Sequence, residues 1–209
     1  MKKFLQKNKK GMTLIEMLVA IAIFAISMQA ITLLFIKNWQ TRSFIMEEGQ
    51  STIIVSRAVD GLIKNLRKIQ QPNSGEFPIK SGNDFDLVVF FDADGDKTIE
   101  KVHYFLDNKS IKEGISKPSG YPLTYPDEDE SVKIIARSIV NDPASPIFSY
   151  YNKNYPGDAA NNPLSTPIKI DDVRLIKIHL MINIDPLRDP DNVNLESFVQ
   201  LRNINDYMQ

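Results

Sequence analysis

Apolar residues first form one long run in this chain, and later recur at helical and then at alternating spacings. The run covers residues 12–36 and contains one ionisable side chain, Glu16, and neither Pro nor Gly. An α-helix of that length rises about 38 Å, which suffices to cross a hydrocarbon core of about 30 Å. The pattern therefore predicts a transmembrane helix over 12–36.

Hydrophobic residues at helical spacing follow the apolar run. No proline occurs before Pro72, and all twelve lie between Pro72 and Pro190. Within 37–71, apolar residues separated by four, three, four and three positions form one stripe: Val55, Val59, Leu62, Leu66 and Ile69. We expect an amphipathic continuation of the helix over 37–71, to about Gln70, with the stripe packed against a soluble domain. A break near Gly49, which would divide the helix in two, is the alternative.

The remaining region, 72–209, contains stretches that alternate apolar and polar residues as β-strands do. Its clearest strand is 173–184, where isoleucine or leucine occupies every second position from Ile176 to Ile184. Candidate strands lie at 85–91, 98–106, 109–113, 131–140, 147–151, 173–184 and 197–203. Short strands without intervening helices pair antiparallel. We therefore predict an α+β fold, in which a long N-terminal helix packs on a β-rich domain of one or two antiparallel sheets.

Charge is distributed unevenly along the chain. The first eleven residues contain five lysines and no acidic residue. Because Lys and Arg are enriched on the cytoplasmic side of membrane helices, we expect a cytoplasmic N-terminus and an extracytoplasmic C-terminal domain. The five lysines belong to a total of 25 basic side chains, so the rest of the chain has 20 basic and 26 acidic side chains. This acidic balance argues against direct binding to nucleic acid.

The chain contains no cysteine. This composition excludes disulfides, iron–sulfur clusters, thiolate zinc sites and a cysteine nucleophile. A domain exposed outside the cytoplasm would therefore be held together by its packed core alone.

Three kinds of N-terminal segment begin with basic residues and continue with an apolar run. A secretory signal peptide has a shorter apolar stretch and a cleavage site between small residues. A plain signal anchor leaves Glu16 unexplained, because an acidic group in a bilayer costs about 2–3 kcal/mol. The third kind accounts for every feature. The sequence KKGMTLIE at 9–16, followed by a long apolar helix, resembles the signal of the type IV pilin and pseudopilin family.

This resemblance implies a processing event. In that family a prepilin peptidase recognises the basic leader, here 1–11 with Lys9 and Lys10 at its end, and cuts after the glycine, here Gly11. Met12 would then become the mature, N-methylated terminus, at a position where most members have phenylalanine. The anchor survives the cut, so the mature chain would be a single-pass protein of the bacterial cytoplasmic (inner) membrane, and later part of a pilus or pseudopilus.

Glu16 would be the fifth residue of the mature chain. Its carboxylate cannot easily reach its own N-terminus along a rigid helix, but it could pair with the terminal amino group of a neighbouring subunit one axial step away. An unpaired charge in an apolar environment is costly, so this pair would set the stagger between subunits. The expected partners are the peptidase, other pilins or pseudopilins, the assembly platform and the membrane.

A second resemblance involves the β-rich region. The segments 90–108, 147–154, 173–185 and 199–203 together resemble the J-type minor pseudopilin and related minor pilins, including those of competence systems. This resemblance implies a low-copy subunit, because major pilins usually have a smaller soluble domain.

One acidic cluster suggests a metal site. Three aspartates alternate with other residues at Asp92, Asp94 and Asp96, as in an EF-hand loop. That loop requires Gly at position six and Glu at position twelve, which are Lys97 and His103 here. We therefore predict a hairpin turn with Gly95 at positive φ and no bound metal, and a weak calcium site is the alternative.

No other group predicts an enzymatic reaction. The two histidines, His103 and His179, lie in predicted strands without a recognisable nucleophile or carboxylate partner, and the acidic run 127–130 is interpreted as a solvated loop. The function predicted from the sequence is therefore structural: a minor pilin or pseudopilin in a type IV pilus, a type II secretion pseudopilus or a competence pseudopilus, in a tip or initiation complex. The alternatives are an anchored β domain that binds a ligand or DNA, and an anchored enzyme.

Overall fold

The structure is a computed structural model that describes residues 11–183 and 192–201. The leader residues Lys9 and Lys10, the end of the strand predicted over 173–184 and the end of the chain lie outside the described residues. The chain forms two compact units that divide after Gly49.

In the first unit, the described residues from Leu14 onward are helical. One α-helix, α1, spans Leu14–Leu66, so Gly49 lies inside a helix and not at a helix end. Its part Leu14–Met46 is long and apolar enough to cross a membrane, and its most apolar stretch is not buried among the described residues. Large side chains such as Phe24 and Leu34 are about two-thirds exposed. This segment therefore requires lipid or other helices to cover it.

Hydroxyl groups on this apolar segment bond within the helix. Ser27 Oγ donates to the carbonyl of Ile23, and Thr32 Oγ1 donates to the carbonyl of Met28, each at 2.8 Å. Both bonds connect a residue with the one four positions earlier. The hydroxyl donors are thereby satisfied without water, as an apolar environment requires.

The described residues of the second unit comprise the rest of α1 and eight strands. Five strands form one antiparallel meander in chain order: β1 Ile79–Gly82, β2 Asp86–Phe91, β3 Glu100–Asp107, β4 Ser110–Ser116 and β5 Ser131–Ala136. Three strands form a second antiparallel sheet in chain order: β6 Phe148–Tyr151, β7 Leu175–Ile182 and β8 Val193–Gln200. A short 3₁₀ turn, Ile170–Asp172, precedes β7. The predicted α+β, pilin-like architecture is confirmed. The described strands form two antiparallel sheets.

The helical stripe forms part of the core between these elements. Val55, Val59, Leu62 and Leu66 are at most 6% exposed and belong to one cluster with side chains of both sheets. Leu66 is the last residue of α1, and Ile69 is buried in the turn that follows it. The helix thus ends four residues before the predicted Gln70. The stripe nevertheless packs in the core, as its spacing predicts.

The strand β7 has the alternation expected from its sequence. Ile176, Ile178, Leu180 and Ile182 are buried, and the residues between them are half-buried. The strand pairs with β6 on one side, where Ile178 faces Phe148, and with β8 on the other, where Ile176 faces Val199. As the central strand, β7 supplies one complete face to the core.

The three largest differences from the predicted strands concern β1, β5 and β8. β1 was not predicted, because it has four residues and ends in glycine. β5 ends at Ala136 because Ser138 has a φ of +61°, which interrupts an extended strand; Ile139 then forms a single bridge to Ile182. β8 begins at Val193, four residues earlier than predicted.

Replacement of a core residue in the helical stripe should destabilise the second unit. Leu66 is fully buried, so Leu66→Ala should lower the free energy of unfolding by about 2–5 kcal/mol. Ile54→Ala is the matched control, because Ile54 lies on the same helix and is 54% exposed; its effect should stay within about 0.5 kcal/mol. Chemical denaturation of the full chain in detergent, followed by circular dichroism, measures both. Equal losses would contradict the packing of the stripe.

Candidate functional site

The start of α1 is closed by a reciprocal pair of side chains. Glu16 Oε2 accepts hydrogen bonds from the backbone N–H of Thr13 at 2.8 Å and from Thr13 Oγ1 at 3.0 Å. The backbone N–H of Glu16 donates in return to Thr13 Oγ1 at 3.4 Å. This arrangement is a capping box, in which a Thr and a Glu three positions apart satisfy free N–H groups of the first helical turn.

The capping box gives Glu16 a partner within its own helix. Glu16 reaches back along its own helix to the backbone of Thr13, which is the residue next to Met12. The sequence analysis overlooked this local partner, although the spacing Thr-x-x-Glu before an apolar run is its signature. Glu16 therefore has a structural role in its own chain, in addition to any role between subunits.

The surroundings of Glu16 are apolar and open. Glu16 lies in a shallow groove on the helix surface that is lined by Ile15, Val19, Ala20 and Ile23. Met12 and Gly11 precede the helix and are exposed. Among the described residues of 14–36, Glu16 is the one ionisable side chain, so any partner for its charge must come from outside this segment.

The three aspartates of the weak metal candidate lie in the connection between β2 and β3. The two oxygens of Asp92 accept from the backbone N–H groups of Gly95 at 2.6 Å and Lys97 at 3.1 Å. Asp94 accepts from the N–H of Asp96 at 3.1 Å, and Asp96 accepts from that of Thr98 at 2.7 Å. Gly95 has a φ of +86°, which confirms the predicted turn.

Two charged residues from outside the turn, Lys117 and Glu100, lie beside its aspartates. The sequence did not single them out. Lys117 Nζ lies 2.8 Å from Asp94 Oδ2 and 3.1 Å from Asp96 Oδ2. Hydrogen bonds from Thr98 and from Lys117 lower the pKa of Asp96 to about 2. Glu100, at the start of β3, lies beside the aspartates and is 1% exposed. Its even spacing from Asp92 was the available signal, but the EF-hand pattern requires its glutamate three positions further on, at His103.

A second charged cluster surrounds His103 on β3. Its Nε2 lies 2.5 Å from Asp86 Oδ2, and its Nδ1 lies 2.9 Å from Asp129 Oδ2. The ring also stacks on Phe105, with centroids 4.5 Å apart. Both ring nitrogens are therefore engaged by carboxylates, and neither is available as a general base. The arrangement holds a loop in place and does not resemble a catalytic triad.

Asp129 is the exception in the acidic run 127–130, whose other three residues are exposed as expected of a solvated loop. Asp127 is almost fully exposed, but the side chain of Asp129 is only 10% exposed. It crosses β4 at Gly114, the residue that faces His103 in the sheet, and a Cβ at that position would overlap it. Lys101 reinforces the attachment, since its buried Nζ donates to the carbonyls of Pro126 at 2.5 Å and Asp127 at 2.9 Å.

Comparison with known proteins concerns the N-terminal site. The sequence profile of the prokaryotic N-terminal methylation motif matches residues 6–28, which include Gly11, Met12 and the capping box. A search of curated proteins found no match. The chain carries a type IV pilin-like signal followed by an apolar helix suited to membrane anchoring. The match concerns the N-terminal signal alone, and a signal of this type implies processing by a prepilin peptidase.

The His103 cluster should make stability depend on pH. Burial acts to lower the pKa of His103, but the hydrogen bonds and charges of Asp86 and Asp129 outweigh it, so the pKa lies above its usual 6.5. The folded state then binds the proton more tightly than the unfolded state. The resulting stabilisation is fully present below about pH 6.5 and is lost as the pH rises through the folded-state value.

Thermal unfolding of the full chain in detergent between pH 5.5 and 8.5 measures this effect. The gap in melting temperature between the unmodified protein and His103→Gln should be largest at low pH and should shrink as the pH rises. His179→Gln is the control, because the other histidine of the chain has its carboxylate neighbour, Glu196, 3.8 Å away. A gap that is constant over this range would contradict the charged clamp.

Proposed function

We propose that this chain is a minor pilin or pseudopilin. It assembles through α1 into a type IV pilus, a type II secretion pseudopilus or a competence pseudopilus, within a tip or initiation complex. The observation that carries the proposal is the position of Glu16, a lone charge in the first turn of an exposed apolar helix, four residues after the proposed mature terminus Met12.

The apolar helix supports assembly through its own surface. The most apolar stretch of Leu14–Met46 is not buried among the described residues. In the membrane, lipid can cover this surface; outside lipid, only other helices of the same kind can do so. A bundle of such helices would place Glu16 in an environment without water, where an unpaired carboxylate is costly.

The geometry of Glu16 leaves capacity for a second partner. Both hydrogen bonds from Thr13 end on Oε2, whereas an ionised carboxylate can accept from about four directions. After cleavage, Met12 would have a positively charged amino group at the same end of the helix. The amino group of one subunit would pair with Glu16 of the next and fix the axial step between them.

The surroundings of Gly11 are consistent with its proposed recognition by a peptidase. A Cβ at this position would meet no atom within 4 Å, and Gly11 is not among the glycines with positive φ. The folded chain itself therefore does not require glycine here. A glycine here is instead explained if a peptidase has to approach the backbone closely at the cleavage site.

The size of the β-rich unit supports a minor rather than a major subunit. The described residues form eight strands in two sheets, and the soluble domain of a major pilin is usually smaller. In the proposed topology the N-terminus is cytoplasmic and the β-rich unit is extracytoplasmic. The partners are the peptidase, other pilins and the assembly platform, with no direct contact to nucleic acid.

Processing can be tested by mapping the mature N-terminus. In cells that contain a prepilin peptidase, the chain should begin at N-methylated Met12, and Gly11→Val should remain full-length. Gly49→Ala is the control, because a Cβ at Gly49 also meets no atom within 4 Å, so cleavage should be unaffected. Mass spectrometry of the N-terminal peptide measures all three. An intact Met1 in the unmodified chain would overturn the proposal.

The role of Glu16 in assembly can be separated from its role in the capping box. Glu16→Gln retains a side chain able to accept the hydrogen bonds of Thr13 but loses the charge. Thr13→Val loses the cap and keeps the charge. If Glu16 pairs with a neighbouring subunit, Glu16→Gln and Glu16→Ala should be cleaved normally but incorporated into filaments at about a tenth of the usual level or less.

Incorporation is measured by quantitative immunoblotting of sheared filaments or of cross-linked assemblies. Thr13→Val should assemble nearly normally, because a lost cap costs only about 1 kcal/mol. The opposite result, with Glu16→Gln assembling and Thr13→Val failing, would show that Glu16 acts only through the helix start.

A further inference from the structure

The connection between β2 and β3, with the first residue of β3, forms a cluster that we call the acidic hairpin: Asp92, Asp94, Asp96 and Glu100. Asp92, Asp94 and Glu100 each place one carboxylate oxygen within 4.8 Å of the others. Acidic residues in an exposed turn do not by themselves form a binding site. The decisive residue here is Glu100, because it is buried and the aspartates are not.

Glu100 is buried with one oxygen unsatisfied. The residue is 1% exposed, and its Oε2 accepts a hydrogen bond from the backbone N–H of Ala93 at 2.8 Å. Its Oε1 is buried without a hydrogen-bond partner among the described residues. A buried carboxylate oxygen that has lost water and gained no donor is costly. Burial, and then the charges of Asp94 and Asp96, raise the pKa of Glu100.

Lys117 only partly compensates for this charge. Its Nζ donates to Asp94 and Asp96 but lies 3.8 Å from Glu100 Oε1, which is too far for a hydrogen bond. The Lys117 side chain is 51% exposed. A long, half-exposed lysine can leave the hairpin at little cost. The position of the ammonium group shows that the hairpin attracts a cation. The group does not form a hydrogen bond with Glu100 Oε1.

We propose that the acidic hairpin is a Ca²⁺ site, with Asp92, Asp94 and Glu100 as carboxylate ligands and Asp96 as an additional acidic group at its rim. Ca²⁺ takes six to eight oxygen ligands at about 2.3–2.6 Å and accepts irregular geometry. Mg²⁺ requires a near-ideal octahedron and usually uses only one or two carboxylates, so three converging carboxylates favour Ca²⁺. The ion would satisfy Glu100 Oε1 and displace Lys117.

Calcium binding is tested on the full chain, purified in detergent and freed of metal with a chelator. Isothermal titration with CaCl₂ should show one ion bound with a Kd of about 0.1–1 mM, and CaCl₂ should raise the melting temperature. MgCl₂ at equal concentration should bind at least about tenfold more weakly. Absence of one-to-one binding up to about 5 mM CaCl₂, or an equal response to MgCl₂, would overturn the proposal.

Variants of the ligands test the site itself. Glu100→Gln should weaken Ca²⁺ binding by about tenfold or more, because it removes the central charge. Glu113→Gln is the matched control: Glu113 is a buried carboxylate on β4 that pairs with Lys133 at 2.7 Å, away from the hairpin. Asp94→Asn provides a second ligand variant that should not disturb folding, since its side chain is 49% exposed. Unchanged affinity in Glu100→Gln and Asp94→Asn would exclude these ligands.

Lys117 supplies the most discriminating test. If its ammonium group competes with the ion, Lys117→Gln should bind Ca²⁺ several-fold more tightly. Lys112→Gln makes the same change of net charge, but Lys112 pairs with Asp107 at 2.5 Å, outside the acidic hairpin. Equal tightening in both variants would indicate general attraction to an acidic surface and would overturn a specific site.

Discussion

The burial of one helical stripe is the constraint on which the rest of the second unit depends. Val55, Val59, Leu62 and Leu66 share a core with both sheets, so each sheet has an apolar face that needs the helix to cover it. The same helix begins with an apolar segment whose large side chains are exposed among the described residues. One continuous element thus has two different requirements for burial. The chain itself meets one of them, and lipid or other subunits must meet the other.

The parts of this fold that could be predicted are those determined by local periodicity. The run 12–36, the helical stripe and the alternation in β7 depend on the spacing of apolar residues within one element, which the sequence displays directly. Boundaries were less accurate, because they depend on backbone geometry. The positive φ at Ser138 and the glycine at the end of β1 are examples.

The charged clusters could be predicted only in part. Thr13 and Glu16 are three residues apart, so their capping box was available from the sequence. Asp129 and His103 are 26 residues apart and meet only because β3 and β4 are neighbours and Gly114 leaves space between them. Likewise, Lys117 reaches Asp94 from the far end of β4. Such contacts follow from strand register, which single-sequence reasoning does not determine.

Strand β3 connects these clusters, because three of its residues hold the segment 117–130 against the first sheet. His103 binds Asp129, Lys101 binds the carbonyls of Pro126 and Asp127, and Glu100 lies near Lys117. The attachments differ in strength: those of Lys101 and His103 involve buried or half-buried groups, whereas Lys117 is half-exposed. Lys117 can therefore be exchanged for another cation while the rest of the segment stays attached. A binding event at the acidic hairpin would then alter the surface beside β3 without disturbing the core that holds α1.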